Sequence, residues 1–449
     1  MTEAAVPGLP VVVIGAGPQG LAAAAHLVER GESVVVLEAG DGPAAAVAEW
    51  GHVRLFSGWP ELVDPAARRL LAATGWSAPT TGYPTGREWI ETYLAPLAAA
   101  LGDRVRYGTR VVGVSRRGRN RLVSAGRAEQ PFTVHAVHDG VESRLEARAV
   151  IDASGTWTQP NPAGADGYPA LGERAAEANG AVSYLPPTPE QAADLAGRHT
   201  VVVGSGHSAM TAVIELAAVA RRQPGTRISW VLRRGTVADT FGGGIADELP
   251  QRGALGERAR QAVDTGLVEL VTGFRVDQIQ PDGDSGQVVV VPEDGRALPP
   301  ADRVVVLTGF RPDLSFLSEL RLELDPVLQA PVRLAPEIDP NLHSCGSVSP
   351  HGAAELAHPE PGLYLVGMKS YGRAPTFLAM TGYEQVRSVA AELTGDHEAA
   401  ARVELTLPDT GVCGGAGLFD EPAVETGGGC CGPSSGPQLV AVGGLLARP

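Results

Sequence analysis

Short, wholly apolar runs that end in glycine recur along this chain. Val11-Val12-Val13-Ile14 runs into Gly15-Ala16-Gly17-Pro18-Gln19-Gly20 and then into an alanine-rich stretch. Val201-Val202-Val203 runs in the same way into Gly204-Ser205-Gly206-His207-Ser208-Ala209 and a second alanine-rich stretch. Continuous β-branched runs of this length predict strands buried on both faces, with a helix after each turn. Ser33–Leu37, Ala149–Ile151, Ile228–Leu232, Val304–Leu307 and Leu363–Val366 carry the same strand pattern, and Glu88–Leu101 and Phe377–Leu393 have helical character. Between Val105 and Val150 the period changes. Alternating runs such as Val105-Arg106-Tyr107 and Phe132-Thr133-Val134-His135 predict a small antiparallel meander. Residues 45–100 form an insertion rich in aromatics and prolines, and a Pro/Gly-rich link runs from Gln159 to Pro169.

A strand entering G-x-G-x-x-G/A and then a helix is what a dinucleotide pyrophosphate requires. The first glycine makes the tight turn, the second admits the phosphates, and the helix N-terminus faces their charge. Two such units predict an α/β fold with two Rossmann-like dinucleotide-binding domains and a small antiparallel β-meander. The expected divisions are 1–165 and 301–397 for the two parts of the first nucleotide domain, 166–300 for the second domain, and 398–449 for a glycine-rich tail. The strands that follow the two helices distinguish the nucleotides. Ser33–Leu37 ends in Glu38 and Ala39, and an acid there accepts hydrogen bonds from a ribose diol while repelling a 2′-phosphate. Ile228–Leu232 ends in Arg233-Arg234, whose guanidinium forks suit a 2′-phosphate. FAD is therefore expected on Gly15, Gly17, Pro18, Gln19, Gly20 and Glu38, and NADPH on Gly204, Gly206, His207, Ser208, Arg233 and Arg234. A solvated arginine pair is the plain alternative for the last two.

Composition narrows the partners. The 449 residues, 44% of them hydrophobic, are enough for more than one core, and the net charge of −15 argues against nucleic acid or anionic membranes as general partners. No apolar run approaches the ~20 residues of a spanning helix. A cytoplasmic protein acting on a small molecule, with a homodimer possible, is the expectation, and its four cysteines would be reduced there. Among its 36 basic residues only one is lysine, Lys369, which follows Leu363–Val366 and Gly367-Met368. An ammonium at that strand end would stabilise negative charge on a reduced flavin, whereas a surface lysine would do nothing. His351, Glu355 and His358 have helical spacing, but prolines around them favour a loop over a metal site.

The order of these features resembles the flavin-dependent monooxygenases among the two-dinucleotide flavoproteins, up to about residue 395. The Gly15 loop, Glu38, Ala153-Ser154-Gly155, the Gly204 loop and Leu307-Thr308-Gly309-Phe310 match in sequence order. Gly367-Met368-Lys369-Ser370-Tyr371-Gly372-Arg373-Ala374-Pro375 and the cysteine-bearing tail resemble flavoproteins associated with bacterial arsenic-resistance clusters. The resemblance implies flavin contacts at Ala39, Arg54, Leu55, Trp59, Ala153, Ser154, Gly155, Gly367 and Met368, with a core aromatic as the alternative for Trp59. It also implies hydride delivery from NADPH and reaction with O2 to oxidise a nitrogen, sulfur or trivalent arsenic centre. The chain departs from the family in lacking F-x-G-x-x-x-H before its second glycine loop, where Val182-Ser183-Tyr184-Leu185-Pro186-Pro187 stands instead. Cys345, Cys413, Cys430 and Cys431 make neither C-x-x-C nor C-x-x-x-x-C, so no dithiol exchange centre is legible. Cys413, Cys430 and Cys431 could hold a thiophilic metalloid. Two other readings stay open: an NADPH-dependent reductase that inserts no oxygen, and a metalloid-binding or redox-sensing flavoprotein.

Overall fold

The computed structural model describes residues 8–405, except 238–239, 243, 245–246, 248, 341–349 and 376. Two five-stranded parallel sheets organise it. In the first, the spatial order is Leu363–Leu365, Ala149–Asp152, Val11–Ile14, Val34–Leu37 and Val105–Arg106. The second orders Glu269–Val271, Arg227–Val231, His199–Val203, Arg303–Val306 and Val182–Ser183. Each glycine-loop strand is thus the central one of its five, buried on both faces, which is why it reads as an unbroken apolar run. Helices Pro18–Glu29 and Ala379–Leu393 pack together over one face of the first sheet. Alanines 22–25 are all essentially inaccessible, and their small side chains let the two helices approach closely.

A three-stranded antiparallel sheet, Thr109–Arg116, Phe132–His138 and Val141–Ala147, covers part of the other face. The expected meander therefore exists, but Val105–Arg106 is not in it. That pair extends the parallel sheet, with Val36 opposite Val105. The second domain also runs past residue 300, because Arg303–Val306 pairs with the central strand of the second sheet. Val288–Pro292 stands outside that sheet, in a hairpin with Val276–Pro281.

The helix expected at Glu88–Leu101 begins at Gly86, capped by Thr85 and Glu88, and passes through a π turn at Ile90–Leu94. The cause is local. Pro96 has no N–H to give the Thr92 carbonyl, and that oxygen instead accepts from Trp76 Nε1 at 2.8 Å. The two crossovers between the domains run side by side. Asn161 N–H donates to the Gly309 carbonyl and Arg311 N–H to the Gln159 carbonyl, each at 2.9 Å, and Trp157 stacks on Phe310 with centroids 4.7 Å apart.

Candidate functional site

The first glycine loop is built as its three glycines require. Gly15 has φ +97°, and a Cβ there would lie 2.9 Å from the Ala153 carbonyl oxygen. A Cβ on Gly20 would lie 1.9 Å from the Gly15 carbonyl oxygen, so only glycine lets this helix start so close to its strand. A Cβ on Gly17 would meet nothing within 4 Å. That open space lies at the N-cap of Pro18–Glu29, where no side chain caps the helix and Pro18 occupies the first turn. Orphan N–H groups beside an empty cradle make an anion site. Glu38 closes its edge, with Oε2 accepting from Ala16 N–H at 2.6 Å and Oε1 from Gly40 N–H at 2.8 Å, while Ala39 is exposed.

Two further segments converge on this loop. Ala153 N–H donates to the Ile14 carbonyl at 2.9 Å, and Gly155 (φ +68°) also faces open space. From the other side comes Gly367 (φ +69°), where a Cβ would press on Gln19 Cγ at 2.8 Å. Gln19 lies between Gly367 and Gly382, donates Nε2–H to the Ala379 carbonyl at 3.0 Å, and keeps a buried Oε1 with no protein partner. Met368 stays partly exposed. Gln385, which the sequence reading missed, organises this corner: Oε1 accepts from Gly367 N–H at 2.7 Å, while Nε2 reaches Ser370 Oγ at 2.8 Å and the His351 ring at 2.7 Å. Its signal was the single amide in the last long helix, Ala379–Leu393. The open cradle, the Glu38 carboxylate and the orphaned Gln19 oxygen fit an adenine dinucleotide such as FAD.

Lys369 is neither a surface lysine nor an uncommitted cation. Its side chain is fully buried, with Nζ 2.6 Å from Asp152 Oδ2, 2.9 Å from Ser154 Oγ and 4.4 Å from the centre of the Phe316 ring. The alternative of a surface lysine is corrected to a buried ion pair that also bonds Ser154 of the Ala153-Ser154-Gly155 turn. Asp152 was overlooked because a carboxylate ending a buried strand looks like a strand terminus.

The second loop repeats the design. Gly204 has φ +131° and a Cβ there would sit 2.2 Å from the Leu307 carbonyl oxygen, while Gly206 faces open space at the N-cap of His207–Arg222. His207 packs against Phe56 of the insertion, ring centres 5.0 Å apart. Burial, with Arg252 nearby, lowers its pKa to about 4, so the ring is neutral at ordinary pH. Ser208 is exposed, as is Arg233, which donates to the Ala165 carbonyl at 3.3 Å. Arg234 is partly buried, and its carbonyl accepts from Gly273 N–H at 2.6 Å.

The three remaining expected flavin contacts stand on the insertion that carries Phe56. Trp59 is 8% exposed and packs in the main core, Leu55 packs against the same core, and exposed Arg54 bonds the Tyr83 carbonyl and pairs with Glu88 at 3.5 Å. The 351–358 segment is divided: Glu355 caps Gly352 N–H at 2.8 Å, His351 turns to Gln385, and His358 Nδ1 accepts from Glu323 N–H at 3.3 Å. Cys345, Cys413, Cys430 and Cys431 lie outside the described residues. No helix among the described residues is long and apolar enough to cross a membrane.

Two parallel sheets, each with a glycine cradle at a helix N-terminus, define a flavoprotein with two dinucleotide-binding domains. The family model of the pyridine nucleotide-disulphide oxidoreductases matches residues 9–362, and the chain belongs to that family. It is a flavoprotein oxidoreductase of a family that binds FAD and NAD(P)H. It is 26% identical over 320 residues to a ferredoxin–NADP reductase of Nocardioides sp., covering 70% of this chain and 77% of that one. It is 30% identical over 216 residues to indole-3-pyruvate monooxygenase YUCCA1 of Oryza sativa subsp. japonica, covering 48% and 46%. Among solved structures, the bacillithiol disulfide reductase Bdr from Bacillus cereus superposes with a TM-score of 0.62 at 20% identity, over 86% of this chain and 99% of that one.

Proposed function

We propose that the protein is an FAD- and NADPH-dependent oxidoreductase of monooxygenase type that uses O2 to oxidise a soft nucleophile: nitrogen, sulfur or trivalent arsenic. The observation that carries this reading is the cysteine set. No cysteine precedes residue 345, and no C-x-x-C or C-x-x-x-x-C occurs anywhere in the chain. Neither glycine-loop region thus carries a dithiol to relay electrons, and the acceptor must come to the flavin directly. Likeness to a plant monooxygenase over about half the chain supports the same reading.

Bound FAD would supply hydride acceptance from the nicotinamide and electron transfer onward. The chain supplies placement. Gly17 and Gly155, which face open space, would admit the cofactor's backbone, Glu38 would accept from the adenosine ribose, and the Pro18 helix end would bind the phosphates. At the second loop His207, held neutral, leaves the helix N–H groups to bind phosphate without adding a titrating charge. Arg233 and Arg234 favour the 2′-phosphate.

A reductase of a thiol, quinone or metalloid is the second reading. The missing F-x-G-x-x-x-H and the likeness to a ferredoxin–NADP reductase favour it. NADPH oxidation stimulated by an amine, thioether or arsenite, measured with and without O2, separates the two. Monooxygenation requires O2 and yields an oxygenated product, and undiminished turnover of the substrate without O2 overturns it.

A further inference from the structure

The two nucleotide domains are joined by the crossovers at residues 157–161 and 309–311, which lie side by side. Two strands bonded together in this way make a single hinge, and rotation about a hinge is the ordinary freedom of linked domains. A further attachment removes that freedom, and the insertion supplies one that does not run through the crossovers. Phe56 of the first domain lies against His207, the first residue of the second-domain helix His207–Arg222, with ring centres 5.0 Å apart.

The insertion holds that ring on a stiff strap. Leu55 N–H donates to the Pro84 carbonyl at 2.8 Å, Gly86 N–H to the Val53 carbonyl at 2.9 Å and Arg87 N–H to the Gly51 carbonyl at 2.8 Å. Leu55 and Trp59 anchor the strap in the first-domain core, while Phe56, between them, stays partly exposed and meets His207. His52 belongs to the same joint. Burial lowers its pKa, and the Pro187 carbonyl, Glu215 and Glu190, all of the second domain, oppose that shift. Gly206 and Ser208, on either side of His207, remain exposed, so the ring contact leaves the second cradle open.

We propose that Phe56 is a positioning residue for hydride transfer: bearing on His207, it sets the distance between the second glycine loop and the first. This rests on the reading that a nicotinamide nucleotide at the second loop reduces FAD at the first. The hydride carries two electrons from the nicotinamide C4, which is oxidised, to the flavin N5, which is reduced. A misplacement of about 1 Å costs such a step roughly 10²-fold. The test is stopped-flow reduction of the FAD-loaded protein over a range of NADPH concentrations, with calorimetric titration of NADP+. Phe56→Ala should lower the limiting reduction rate by at least about tenfold. It should leave NADP+ affinity unchanged, because the cradle is untouched. Phe56→Tyr, which keeps the ring, should retain the native rate. Hydrogen exchange without nucleotide should quicken at residues 52–57 in Phe56→Ala, reporting the lost joint directly.

A limiting rate in Phe56→Ala equal to the native one overturns the proposal, and so does a loss confined to NADP+ affinity. If that variant fails to fold, an undiminished limiting rate in Phe56→Leu overturns it equally. A native flavin that neither NADPH nor NADH reduces defeats the underlying reading itself, and the role of Phe56 falls with it.

Discussion

Lys369 and Asp152 form a fully buried ion pair, Nζ to Oδ2 2.6 Å, between the end of Ala149–Asp152 and the short helix Gly367–Tyr371 that follows its neighbouring parallel strand. Asp152 Oδ1 accepts from both the N–H and the Oγ–H of Ser154, at 3.1 and 2.6 Å, so one carboxylate fixes the lysine and the turn that approaches the first glycine loop. Removing one member of such a pair strands a charge away from water, a loss of about 3–5 kcal/mol. Lys369→Met should fall by that amount in denaturant unfolding, and Lys369→Met with Asp152→Asn should recover much of it. If the single variant is as stable as the native chain, the pair does not clamp the turn. In potentiometry, a flavin midpoint shifted in the single variant but not in the double assigns the shift to the uncompensated charge of Asp152.

The three glycines of the first loop should separate folding from binding. Gly20→Ala places a methyl 1.9 Å from the Gly15 carbonyl oxygen and should destabilise the first domain. Gly17→Ala meets no protein atom within 4 Å and has φ −76°, so the chain should fold normally but bind FAD weakly. Circular dichroism and flavin absorbance read the two effects independently. A Gly17→Ala protein that retains FAD like the native chain would remove the cradle assignment.

Nucleotide choice should follow the second cradle. Flavin reduction is expected to be faster with NADPH than with NADH. Arg233→Ala with Arg234→Ala should lose about 1.5–3 kcal/mol per charged hydrogen bond broken. Stopped-flow reduction with both nucleotides checks this, and equal rates in the native chain would sink the assignment.

Acid stability should report His207 and His358, each held at a pKa of about 4 against 6.5 in the unfolded chain, chiefly by burial. Because both native pKa values are depressed, the unfolded state binds protons first as pH falls. Stability is then lost between about pH 6.5 and 4, by on the order of 3 kcal/mol per ring at most, and the dependence levels off below. Arg252 and Asp247 face His207 with opposite effects, Arg252 lowering and Asp247 raising its pKa. His207→Gln should flatten part of the slope in urea melts at pH 5 and 7.5, and His358 should retain the remainder. An unchanged slope in His207→Gln and in His358→Gln counts against neutral rings at these positions.

The tail offers the riskiest test. A chain ending at residue 405 should keep its FAD and basal NADPH oxidation but lose arsenite-stimulated turnover, because Cys413, Cys430 and Cys431 are removed. Identical arsenite responses in the full and shortened chains would end the metalloid role.

By itself the sequence determined the repeated elements. A parallel strand buried on both faces must be apolar throughout, and a phosphate cradle must be glycine at fixed offsets, so both appear as local strings around Gly15 and Gly204. Glu38 was legible for the same reason, lying at a strand end a set distance from the loop. What local strings cannot carry is pairing between distant segments. Whether Val105–Arg106 joins the meander or the parallel sheet depends on which edge lies open, and nothing in two residues encodes that. The pairing of Lys369 was not legible because its partner Asp152 is more than two hundred residues away, and desolvation, which makes the pairing obligatory, exists only once both segments are packed. Gln385 and the Phe56–His207 contact were hidden likewise, since an amide or a ring acquires a partner only when tertiary structure brings one within reach and excludes water from the space between.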